Sequence, residues 1–318
     1  MAVSTTSTNS ANLHSYYEKK LLVTAEPRLV YQPLGKKQRL PKGLGTQVKW
    51  LRYSTISEST TPLTEGTVPS EIAFTTANVT ASISQYGQYS KISDLLSDVA
   101  IDPVLENLSE RFGVAMAKTI EALIIAELDS GSFVQRVNDR AADVNIVAGD
   151  VLNHKELIEA MIRQKRDFIG PHESGDYIAV VHPLSEYDLK SDSQAGAWLD
   201  LHKYNDERPL LNGEFGRMYG MRFLVSDKNT SQVDAGSGGT VDVFSSYLIG
   251  EEAYGVVMLN GDAMRMIIKR HGSAGASDPL DQFATVGYKI HGYATKYLDS
   301  GSKRVIRIKS SSALGVNV

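Results

Sequence analysis

The chain has 318 residues, 42% of them hydrophobic, with 33 basic against 37 acidic side chains and a formal net charge of −4. That apolar content excludes global disorder and suits one large or two medium domains, while the missing basic excess argues against a dedicated nucleic-acid binder held by phosphate neutralisation. There is no cysteine, so disulfides, cysteine–zinc sites and cysteine nucleophiles are excluded, and a cytoplasmic folding environment fits.

Residues 1–13 are largely Ser, Thr, Asn and Ala, too polar to order alone. They are expected to be held by a neighbouring subunit. The segment has neither the basic nor the apolar region of a signal peptide, and no window of about 18 apolar residues occurs anywhere. A soluble protein outside the usual secretory route is expected. A short helix is predicted over 16–23. Pro27, Pro33, Gly35 and Pro41 then break the chain into an extended arm. Lys36, Lys37, Arg39 and Lys42 form a local basic run, either a solvated face or a contact with an acidic neighbour or nucleic acid.

Residues 46–53, TQVKWLRY, read as a strand rich in β-branched and aromatic side chains. Residues 79–86, VTASISQY, alternate as a half-buried strand does. Pro62, Gly66 and Pro69 make the stretch between them a bend. The whole is a long hairpin, whose arms of about 12 residues would reach roughly 40 Å. A two-stranded ribbon is marginal in water, so a projecting hairpin implies a partner surface, unless both strands join the chain's own sheet. Trp50, Arg52, Leu63 and Glu65 on the hairpin, with Lys36, Lys37 and Arg39 before it, are the candidate subunit contacts. Glu65, at the tip, would either face a basic patch on the next subunit or stand as a solvated loop carboxylate.

Residues 102–130 carry apolar side chains at Leu105, Leu108, Phe112, Met116, Ile120 and Leu123, one face of a 3.6-residue helix. Asp102 and Pro103 suit its start, Glu106 its dipole, and Gly131 a left-handed end. About 28 residues make a rod of about 42 Å. Glu106, Glu110, Arg111, Lys118, Glu121 and Glu127 rule out a membrane span. A coiled-coil arm is the weaker reading, since the stripe lasts barely four heptads and its flanks carry Ala; a spine for other elements to lean on is the better one.

Beyond it the texture is mixed. Residues 151–168 are helical through Leu152, Leu157, Ile158, Met161 and Ile162, and Gly170-Pro171 ends them. A strand is predicted at 177–181, helical turns at 183–189 and 195–203, and strands at 222–225, 243–249 and 256–259. Residues 233–240 read as a flexible loop. The last strands, 264–269, 286–291 and 305–309, are expected to return to the spine and its sheet. No HExxH, GxSxG or P-loop pattern appears. His182 reads as a turn histidine, and Ser237 lies in a Gly-rich loop that would hold a nucleophile poorly. No catalytic, cofactor or metal residue is assigned.

Several ordered runs resemble one known family. Residues 40–46 (LPKGLGT), 62–69 (PLTEGTVP), Tyr86-Gly87 with Ile92-Ser93-Asp94, 212–216 (NGEFG) with 220–223 (GMRF), and Asp278-Pro279-Leu280 with Gly287-Tyr288-Lys289 are similar to motifs of the tailed-bacteriophage major capsid proteins. The resemblance implies an α+β fold of the Johnson type, shared with herpesvirus capsids: N-terminal arm 1–45, extended hairpin loop 46–92, peripheral domain 93–150 with the spine at 102–130, axial domain 151–262, and peripheral return strands 263–318. It also implies pentamers and hexamers that tile an icosahedral shell around double-stranded DNA. The implied partners are copies of the chain itself, a separate scaffolding protein, a portal protein, a decoration protein and DNA bound without sequence preference, with no membrane. Assembly would occur in the host cytoplasm and end in the virion capsid. An encapsulin-like compartment shell is the alternative within that fold. A soluble enzyme or binding module with a pocket in 151–262 is the alternative outside it.

Overall fold

The computed structural model describes residues 29–54, 56–99, 104–192, 214–260, 264–273 and 278–314. The first strands are β1 (Lys36–Leu40), β2 (Gln47–Tyr53), β3 (Thr76–Ser82) and β4 (Ser84–Ser93). A short helix α1 (Asp94–Val99) and the long helix α2 (Val104–Asp129) follow, then β5 (Val134–Arg136), α3 (His154–Arg166), β6 (Tyr177–Val181) and α4 (Pro183–Ser191). Next come β7 (Glu214–Met218), β8 (Met221–Val225), β9 (Ser231–Gln232), β10 (Val243–Ile249) and β11 (Tyr254–Leu259). The chain ends through β12 (Met264–Lys269), β13 (Phe283–Tyr297) and β14 (Val305–Ser310). The expected helices at 16–23 and 195–203, the caps Asp102 and Pro103, and Asn212-Gly213 lie outside the described residues.

The strands form three sheets. In the first, β13 is central: β4 and β12 flank its first part, β11 pairs with its second, and β1 adds to β11 in parallel. In the second, β14, β10, β6 and β8 run through the middle, with β5, β7 and β9 at the margins. The third is the β2–β3 ribbon, from Gln47↔Ser82 to Tyr53↔Thr76.

Helix α2 holds the first two sheets together. Thr119 Oγ1 lies 2.8 Å from Tyr288 Oη, Tyr297 Oη donates to Leu128 O at 2.7 Å, and Lys296 Nζ reaches Glu127 at 2.8 Å, all on β13. Met116, Ile120, Ile124 and Leu128 are fully buried in one core with Val286, Ile290 and Tyr293 of the first sheet and Ile178, Val180 and Tyr247 of the second. Leu105, Leu108, Phe112 and Leu123 are only partly buried. The buried stripe therefore moves round the helix toward its C-terminal half, where both sheets close on it. Strand β6 is buried on both faces: Ile178 and Val180 face this core, while Tyr177, Ala179 and Val181 join Leu157, Ala160 and Met161 of α3 in a second one. Such burial explains its unbroken apolar sequence.

Five sequence expectations change. Gly131 does not take a positive φ; a Cβ there would stand 2.5 Å from Tyr297 Oη, so close approach is what requires glycine. The hairpin ladder stops at Ser82, because after Ile83 the chain changes partner from β2 to β13, so 84–92 belong to the first sheet. Residues 256–259, expected in the axial unit, pair with β13 in the sheet that carries α2. Residues 305–309, expected to return there, pair instead with β10 and β5. Residues 233–240 lie largely exposed, as a surface loop should, but are tied down by backbone bonds: Gly236 N donates to Val241 O and Ser237 N to Ile146 O, at 2.8 and 2.7 Å.

Candidate assembly surfaces

The root of the ribbon is tied to its own chain. The indole of Trp50 lies over Gly255 of β11, where a Cβ would come within 2.7 Å of the ring. Trp50 packs with Val48, Ile83 and Leu259 around Leu40, Ala81, Val257 and Ala294. Arg52 pairs with the buried carboxylate of Asp299, and Lys36 pairs with Glu252. Trp50, Arg52 and Lys36 thus have partners inside the subunit, with Arg52 and Lys36 still half-exposed, and they meet beside one groove of ≈ 620 Å³, lined also by Leu51, Tyr53 and Phe168. Lys37 and Arg39 are exposed on β1 and line a different cavity of ≈ 430 Å³ with Leu29, Ile120 and Met264.

Past the root the ribbon is open. Leu63 is 77% and Val68 91% exposed, and Leu51, Tyr53, Ile56, Ile72 and Phe74 are exposed too. The Tyr53 and Phe74 rings lie 6.3 Å apart. Thr67 N bonds to Thr64 O at 3.2 Å, and Gly66 takes φ +78°, which turns the tip and leaves Leu63 and Glu65 in solvent. A row of large apolar side chains on a ribbon with no sheet behind it is a surface that awaits cover.

Sequence reasoning missed three further exposed apolar features: Leu95, Leu96 and Val99 on α1; Tyr89 and Phe283 beside a groove of ≈ 630 Å³ on the first sheet; and Phe168 after α3. On α1 none of the six residues is buried. Ile162, expected in the core face of α3, is exposed as well.

The buried ionisable groups serve the fold. Burial would raise the Asp143 carboxyl, but hydrogen bonds from Lys309 and Arg136 pull it below the ordinary value. Asp150 is likewise raised by burial and then lowered further by Arg140, the Val147 amide and Asn138. His182 is the N-cap of α4: Leu184 N donates to its Nδ1 at 3.3 Å and its ring stacks on Phe244 at 4.8 Å. Burial lowers its pKa, against the opposing charge of Asp227. Among the described residues no group of three or more His, Asp or Glu is placed to hold a metal, and no helix is long and apolar enough to cross a membrane.

The family model described as phage capsid protein matches residues 76–299. None of the curated proteins matches the sequence. Among solved structures, the chain is similar to the capsid of Ralstonia phage GP4, at 13% identity and TM-score 0.69, covering 90% of both chains. It is similar to the cyanophage Pam1 capsid asymmetric unit, at 14% identity and TM-score 0.64, covering 90% of this chain and 93% of that one. A Mycobacterium phage Che8 chain matches at 14% identity and TM-score 0.61, over 88% of this chain and 90% of its own.

Proposed function

The chain belongs to the phage capsid protein family, and we propose that within it this is the major capsid protein of a tailed double-stranded DNA phage. It assembles through pentamers and hexamers into an icosahedral shell around the genome. The observation that carries this reading is the ribbon: rigid at its root through Trp50 and Arg52, apolar and uncovered toward Leu63 and Val68. The ribbon lies over a neighbouring subunit. Covering each large apolar side chain is worth about 1.5–3 kcal/mol, and a closed shell repeats the contact many times.

The first sheet with α2 corresponds to the peripheral domain and the second sheet with α3 and α4 to the axial domain. The role is structural and non-catalytic, without cofactor. A separate scaffolding protein, a portal protein and a decoration protein are the expected partners, and assembly takes place in the host cytoplasm. DNA is enclosed without sequence recognition, which the net charge of −4 supports. The test is the content of particles built from this chain: nuclease-protected, genome-length double-stranded DNA is expected. Protein cargo without DNA would replace this reading with an encapsulin-like compartment.

A further inference from the structure

Helix α3 ends in a Schellman motif. Ile169 N donates to Gln164 O at 3.1 Å and Phe168 N to Lys165 O at 3.0 Å, around the cap Asp167. The residue after the cap sits in the left-handed region, where glycine is the usual occupant because it has no Cβ to clash. Here that residue is Phe168, with φ +56°. Its side chain is 98% exposed, so the strained conformation gains no burial inside the subunit. Two local rules are broken together: a bulky side chain where glycine belongs, and a large apolar group in water. Such breaks mark places where a contact outside the chain decides the residue.

The surroundings specify that contact. Phe168 stands on the rim of the ≈ 620 Å³ groove at the ribbon root, next to the exposed Leu51 and Tyr53. Among the described residues each charged side chain lining the groove has an opposite charge close by: Lys36 with Glu252, Arg52 with Asp299, Asp167 with Lys303, and Arg304 4.0 Å from Asp299 while donating to Glu251 O at 2.8 Å. The charges are balanced within the groove, so apolar contact is what the Phe168 rim offers. The apolar surface is continuous with the ribbon.

We propose that Phe168 is an intersubunit anchor, buried against a second copy of this chain when the shell forms. The partner is another copy because the proposed function places identical chains side by side along the ribbon, and the inference rests on that reading. Phe168 of one copy meets a different surface on the next, a heterologous contact of the kind that closes rings.

Phe168→Gly separates folding from assembly. Glycine relieves the left-handed strain, so the unassembled variant should melt roughly 1–3 °C above wild type. Loss of the ring should raise the subunit concentration needed for shells by roughly tenfold or more. Phe168→Leu, which keeps apolar bulk, should restore most of the assembly. A benzophenone photo-crosslinker at position 168 should link copies of the chain in assembled particles and not in dissociated subunits. Normal assembly by Phe168→Gly, or crosslinks only to another protein, would remove the contact while leaving the shell reading intact. Failure of the wild-type chain to assemble even with scaffolding protein present would remove both.

Discussion

Glu121 lies mid-way along α2, 3% exposed, and its carboxylate accepts the backbone N–H groups of Val30 and, at 3.2 Å, Tyr31. Burial raises its pKa above the ordinary 4.5; the two amides and Lys228 pull it down and Asp227 pushes it up, with a net rise. A carboxyl raised in the folded state contributes stability that is full below 4.5 and lost as pH climbs through the folded value. Glu121→Gln keeps the acceptor and cannot ionise. It should match wild type near pH 4 and melt higher at pH 7–8, and a gap that stays constant with pH would contradict the assignment. Asp143 works in the opposite sense. Its lowered pKa gives stability that is present above the ordinary 3.8 and lost as pH falls through the folded value, so Asp143→Asn should cost stability at pH 7 and little at pH 2. Gly131→Ala tests crowding alone. The new Cβ would press on Tyr297 Oη, 2.5 Å away, at a cost of about 1–3 kcal/mol. Denaturant unfolding should show that loss and its partial recovery in Gly131→Ala/Tyr297→Phe.

At the scale of elements, the ribbon is where local structure and assembly meet. Its ladder ends at Tyr53↔Thr76, and residues 61–70 form the exposed tip beyond it. Deleting 61–70 leaves the Trp50 and Arg52 anchors in place, so a folded chain with wild-type circular dichroism and no complete shells is expected. Shells of normal size from the deletion would contradict the ribbon's role. Elements with strong local periodicity were legible in advance: β2, β6, β10 and the spine lie within one or two residues of their predicted limits. Pairing between distant strands was not. The sequence of Val305–Ser310 reads as a strand whichever sheet it joins, and its partners on β10 lie some sixty residues away. Strand β13 reads short in sequence because Gly292, at φ +74°, makes a bulge next to His291, yet the strand runs on to Tyr297. The candidate contacts divide the same way. Leu63 and Glu65 at the tip are exposed, while Trp50 lies over Gly255 and the half-exposed Arg52 pairs with Asp299, partners that no local pattern announces. Phe168 was invisible because its significance depends on the hydrogen bonds that end α3.

For the whole molecule, α2 welds two sheets of different surroundings into one subunit, and the uncovered apolar groups lie away from that weld: on the ribbon, on α1 and at Phe168. A lone subunit leaves these in water; on the proposed reading a shell of identical copies would cover them together, so that weak contacts add to a stable whole. The chain's near-balanced charge suits a wall that encloses DNA without gripping it. The most direct test of self-assembly is electron microscopy of the recombinant chain after size-exclusion chromatography, alone and with the proposed scaffolding protein. Closed shells, tubes or five- and six-membered rings are the predicted result. A chain that stays monomeric or dimeric even with scaffolding protein present would contradict the account.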